Sequence, residues 1–117
     1  MELDNTVGKA RIYASYARTL SLLGHIDQAD HYYQCAIEAS EIKPWSQNIT
    51  ELTMYAYFLL EHNRYKDSID QFQAAIDFND EWPTNHWGLA QAYKALGNNE
   101  KYQYHTVKLV LNLQLTS

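Results

Sequence analysis

The sequence has little of what most small folds use to brace themselves. It holds a single cysteine, Cys35, so no disulfide can form within the chain and nothing points to an oxidising compartment. Two prolines and four glycines are too few for the many tight turns of a β-sandwich or barrel. No apolar run approaches the ~20 residues of a membrane-spanning helix. The opening residues, Met1-Glu2-Leu3-Asp4-Asn5, are polar and acidic, unlike a secretion signal. Without such a signal, the sequon Asn48-Ile49-Thr50 carries little weight. Basic side chains are outnumbered, nine against fourteen acidic ones, and the formal charge is −5. A diffuse acidic balance disfavours binding to phosphate backbones, which needs a basic footprint. These absences predict a soluble, cytoplasmic protein with neither nucleic acid nor membrane as its partner.

What is present reads as one domain over residues 1–117. The chain is 46% hydrophobic and 20% charged, ordinary for a globular protein. At this length folding buries somewhat over 60% of the unfolded surface, enough for a modest core. Ten tyrosines are many, and tyrosine suits half-buried surfaces, with an apolar ring and a polar tip.

Apolar residues recur at three- and four-residue steps, the pattern of amphipathic helices. Val7, Ala10, Tyr13, Ala14, Ala17 and Leu20 predict a first helix from Thr6 to Leu23, ended by Gly24. A second helix begins near Asp27, carries Ala29, Tyr32, Tyr33, Cys35 and Ala36 inward, and closes at Lys43-Pro44. Ser46 is the expected cap of a third helix that runs to about Leu60 and carries Ile49, Leu52, Tyr55, Ala56 and Leu59. His62-Asn63-Arg64 breaks the pattern, and Asn63 can take the left-handed conformation that Gly24 takes. A fourth helix follows from Tyr65 to Phe78. Pro83 opens a fifth, Gly97 ends it, and Asn98 caps a sixth that runs to about Leu115. Six helices joined by short turns make an all-α protein.

The breaks at Gly24, Asn63 and Gly97 lie 39 and then 34 residues apart, counted from their numbers. A period near 34 with two helices per unit marks a helical repeat. Tyr16-Ala17-x-x-Leu20, Tyr55-Ala56-x-x-Leu59 and Leu89-Ala90-x-x-Tyr93 hold equivalent places on the first helices. Ala29-x-x-x-Tyr33-x-x-Ala36 matches Ser68-x-x-x-Phe72-x-x-Ala75 on the second ones. These residues resemble the tetratricopeptide repeat family over about residues 10 to 111. The resemblance implies three repeats, at about 10–43, 49–81 and 83–114, wound into a right-handed superhelix. Trp87 stands one place after the family's usual aromatic, which would turn it from the core toward the inner groove. Tyr102 and Leu109 replace two small residues in the last helix, which is therefore a divergent terminal helix.

Nothing in the sequence asks for catalysis. His25, His31, His62, His86 and His105 form no helical His-x-x-x-His pair, so they read as solvated surface, with no metal expected. Cys35 has no neighbouring base that would make it a nucleophile. There is no phosphate-binding glycine loop, and no cofactor is expected. The resemblance implies instead a concave groove, lined by the first helices, that binds a protein or peptide segment. Carried over, it places Arg11, Ala14, Arg18, Tyr57, Glu61, Thr84, Trp87, Gln91 and Lys94 in or beside that groove. Arg11, Arg18, Tyr57, Trp87, Gln91 and Lys94 are the candidate contacts, because aromatic and arginine side chains carry binding hot spots. The plain alternative is solvated helix faces with Trp87 half packed. Some family members clamp a chaperone's C-terminal carboxylate, but the matching places here hold Ala14, Arg18, Met54, Thr84 and Gly88, and only Arg18 is basic.

The sixth helix is apolar on two sides. Tyr102, Thr106, Leu109, Val110 and Leu113 form one stripe, expected to pack on the fifth helix. Tyr104, Val107, Leu111 and Leu115 form the opposite one. A terminal helix of a repeat array needs a polar outer face to stay soluble, so the second stripe predicts a cover: a copy of the same chain, another protein or further repeats, with a homodimer the simplest case. The second functional reading is accordingly a structural assembly unit that acts through self-association.

Overall fold

The computed structural model describes residues 6–40, 50–80 and 82–116, with side chains over 8–40, 50–80 and 82–111. It contains six α-helices: α1 (Thr6–Leu22), α2 (Ile26–Ser40), α3 (Thr50–Glu61), α4 (Tyr65–Phe78), α5 (Pro83–Ala95) and α6 (Asn99–Thr116). No strand occurs among the described residues. Most boundaries fall within a residue or two of the sequence expectation, and α4 matches it at both ends. Helix α2 is described as far as Ser40; the expected closure at Lys43-Pro44 and the cap at Ser46, like Ile49, lie outside the described residues.

The three helix breaks are one structure made three times. Gly24, Asn63 and Gly97 all have positive φ, at 88°, 64° and 81°. The amides that follow, of His25, Arg64 and Asn98, each donate to the carbonyl five residues back, on Leu20, Leu59 and Tyr93, at 2.9 Å. The left-handed residues themselves donate three back, to Ser21, Leu60 and Lys94. This pair of bonds satisfies carbonyls that a helix end leaves without intrahelical partners. The carbonyls of His25, Arg64 and Asn98 then accept the first bonds of the next helices, from Ala29, Ser68 and Tyr102. Asn98 adds a side-chain cap, accepting from the Lys101 amide at 3.2 Å.

The chain forms two compact units, residues 1–55 and 56–117, with the boundary inside α3. In the first, α1 packs on α2 through alanines. Ala10, Ala14, Ala17, Ala29 and Ala36 are all buried, and small residues let the two backbones come close. Tyr32 stacks on Tyr13 and meets Tyr16 edge-on. The start of α3 is tied to α2 by Tyr55, whose hydroxyl donates to Asp30 at 2.5 Å while its ring stacks on Tyr33.

In the second unit α4 packs on α5 and α5 on α6. Ala56, Phe72 and Leu89 form the core, with Leu60, Ile69 and Ile76 packed against them. The places that recur in the sequence are buried: Ala17, Ala56 and Ala90; Ala29 and Ser68; Tyr33 and Phe72; Ala36 and Ala75. Helix α6 departs from this pattern. Tyr102, Thr106 and Leu109 are only half-buried, and among the described side chains of α6 the buried one is His105. Val110, expected on the packing stripe, is 47% exposed, because it lies about 100° round the helix from Leu109.

Candidate functional site

Helix α5 carries the candidate site. Pro83 sits at its start, where a missing N–H leaves no helical bond unmade. One turn on, Trp87 projects an indole that is 46% exposed. It is not loose. Tyr57 of α3 stacks beneath it, with centroids 6.1 Å apart and planes at 26°. Tyr57 in turn meets the buried Phe72 edge-on at 4.8 Å, and its hydroxyl donates to the Thr84 carbonyl at 2.5 Å. Burial pushes the Tyr57 phenol up to about 12, so it stays a neutral donor. A large aromatic surface is thus held ready at low conformational cost, the property of a contact anchor.

The other groove candidates divide between the two units. Gln91 is half-buried on α5, one turn beyond Trp87. Lys94 is exposed, and its Nζ lies 5.5 Å from the centre of the Tyr102 ring, toward α6. Arg11 and Arg18 are exposed on α1 in the first unit, seven residues apart and so on one face of that helix. Glu61 and Thr84 are exposed, whereas Ala14 is buried in the α1–α2 contact. Trp82, 45% exposed just before Pro83, and Phe78 at the end of α4 add apolar surface that the sequence reading missed. Both lie at helix ends, where periodicity assigns no face.

The second stripe of α6 is exposed as far as it is described: Tyr104 at 60%, Val107 at 57% and Leu111 at 49%. Leu113 and Leu115 have side chains outside the described residues.

The histidines require a correction. His25 and His31 are exposed and His62 is half-buried, but His86 and His105 are buried. Their Nδ1 atoms lie 3.0 Å apart, and His86 Nε2 lies 2.5 Å from Asp80 Oδ1. The reading as solvated surface failed because it looked for a pair within one helix, and these two meet across α5 and α6. A signal was present: His86 stands four residues before Ala90, as Leu52 stands before Ala56 and Tyr13 before Ala17, an inward place on each first helix. Beside the pair is a cleft of about 430 Å³ between α4 and α6, floored by His86 and Tyr93 of α5. Among the described residues no group of three or more His, Cys, Asp or Glu is placed to hold a metal ion. Cys35 is half-buried, not fully inward, with its Sγ 3.6 Å from His31 Nε2. No described helix is long and apolar enough to cross a membrane.

No protein-family model matches the sequence, and no curated protein matches it at a significant level.

Proposed function

We propose that this chain is a protein-interaction module, built as a tetratricopeptide-like repeat array, that binds a peptide or protein segment against the α3–α5 face. The observation that carries the reading is the indole of Trp87, half exposed yet clamped by Tyr57, which is itself fixed to the Thr84 carbonyl. Burying an ordered indole forfeits little side-chain entropy, so most of its transfer free energy reaches the complex. Gln91 offers a hydrogen-bonding amide on the same helix, and Lys94 supplies a cation for an acidic segment. The module is not an enzyme in this reading, it needs no cofactor, and it works in the cytoplasm.

The test is selection of peptides from a displayed random library on the wild-type chain, followed by titration against Trp87→Ala. Selected peptides should bind the variant more weakly by about 1–2 kcal/mol, with helicity unchanged. Equal affinity for both chains, or an unfolded variant, would reject Trp87 as the anchor.

A second reading, a structural unit that self-associates through α6, is favoured by the exposure of Tyr104, Val107 and Leu111. Contiguous apolar surface on an exposed helix face marks an interaction site or an aggregation liability. Light scattering on the wild type and on a Val107→Glu, Leu111→Lys double variant decides it. A wild-type monomer at every concentration excludes the dimer.

A further inference from the structure

Helix α6 is fastened to α5 by a hydrogen-bonded chain whose imidazoles can carry three protons but not four. Asp80 Oδ1 takes a hydrogen from His86 Nε2 at 2.5 Å, which leaves His86 Nδ1 to face His105 Nδ1 at 3.0 Å. That contact is a hydrogen bond only while one nitrogen bears a hydrogen and the other a lone pair. Two imidazolium rings would set two N–H groups against each other, with ring centroids 5.2 Å apart. Neither ring can turn to water in place, since His86 is 3% and His105 7% exposed. Tyr93 of α5 also lies parallel to the His105 ring, at 4° and 5.7 Å, and limits its rotation.

The surroundings do not absorb a further positive charge. Asp80 and Glu100 bring two negative charges to the cleft, and Lys101 and Lys108 bring two positive ones. Tyr93 and Tyr104 add neutral phenols, and α4 adds only the amide of Gln73 and the apolar Ile76. On the α4 side of α5, by contrast, the core of Ala56, Phe72 and Leu89 is hydrocarbon, and the Tyr57 phenol packed against it, pushed up to about 12 by burial, stays neutral in acid.

From this geometry we infer that the His86–His105 pair is a proton-operated latch, closed at neutral pH, whose double protonation in mild acid releases α6 while the α4–α5 contact stays closed. The inference does not rest on what Trp87 binds. The direction of the effect follows from His105. Its pKa is pulled down to about 4, by burial first and then by the charges of His86 and Lys101, with Asp80 opposing. On a released helix it returns to the ordinary value near 6.5. The folded pKa is the lower one, so the latch gives its full stabilisation above about pH 6.5 and loses it as pH falls toward 4. Within that window each pH unit shifts the balance toward release by up to about tenfold.

The experiment is hydrogen exchange on the full chain at pH 7 and pH 5, corrected for intrinsic rates, in the wild type and in His105→Gln. Glutamine keeps an amide donor but does not titrate. In the wild type, α6 amides should lose protection at least fivefold relative to those of α1 and α2 on going to pH 5. In the variant that ratio should stay flat. A flat wild-type ratio, or the same loss in the variant, overturns the latch. If the variant does not fold, the imidazole nitrogens of the wild type are titrated by NMR: a His105 midpoint below pH 5 supports the latch, and one near 6.5 overturns it.

Discussion

Helix α5 is gripped from two sides by two different kinds of chemistry. On the α4 side the contact is hydrocarbon: Phe72 and Leu89 are wholly buried, and the Phe72 ring lies against Gly88. On the α6 side the contact is polar, a carboxylate and two imidazoles in series, bordered by Lys94 over Tyr102 and Lys101 over Tyr93. An apolar contact depends on volume and is indifferent to pH. A polar contact inside the protein depends on every hydrogen being in its place, because an unmatched group costs about 1–3 kcal/mol. One helix therefore carries a joint built to stay shut next to a joint that a proton can open.

The difference should appear most strongly when the hydrocarbon joint is emptied. Phe72→Ala should cost about 3–5 kcal/mol in urea unfolding, since the ring is fully buried and touches both α3 and α5. The loss should be the same at pH 7 and pH 5. A cost below ~1 kcal/mol would mean that this side is not the core.

A smaller effect, of opposite geometry, is expected from filling the same joint. A Cβ on Gly88 would fall on the Phe72 ring, 2.6 Å from one of its Cε atoms. Alanine favours a helix interior over glycine by about 1 kcal/mol, but the buried ring has no free space into which to retreat. Overpacking of about 1–3 kcal/mol should outweigh the helical gain, so Gly88→Ala should lower the melting temperature. A raised melting temperature would show that the ring can move and that the joint is looser than drawn.

The smallest effect belongs to the polar side. Lys101 Nζ lies 5.4 Å from the centre of the Tyr93 ring, an exposed cation–π contact worth about 0.5–1 kcal/mol. Lys101→Met should remove no more than that at pH 7. Because the lysine also holds the His105 pKa down, the variant should move the His105 titration to higher pH, closer to its released value, and so shrink the loss of α6 protection between pH 7 and pH 5. An unmoved titration would separate Lys101 from the latch and weaken the contrast between the two sides.

Much of this was legible in the chain itself, and the reason is local. A helix end is decided by a few adjacent residues, so Gly24, Asn63 and Gly97 announced the three turns and their left-handed geometry. Alanine, followed one turn later by a large residue, announced the inner faces. Trp87 stood out because it is displaced by one residue from the expected aromatic, about 100° round the helix, and its indole is accordingly half exposed. The clamp beneath it was not legible. Tyr57 could be placed on the same surface, but its bond to a carbonyl 27 residues away depends on how α3 meets α5.

The sequence by itself determined the helices, their punctuation and the recurrence of small inward residues, because each rests on interactions within a few residues along the chain. Only the tertiary structure decided what the polar residues do. His86 and His105 are nineteen residues apart, and no spacing within either helix betrays that they meet. Packing α6 on α5 removed both from water and left each as the other's hydrogen-bonding partner. Burial turned two side chains that read as surface into a joint that a proton can open.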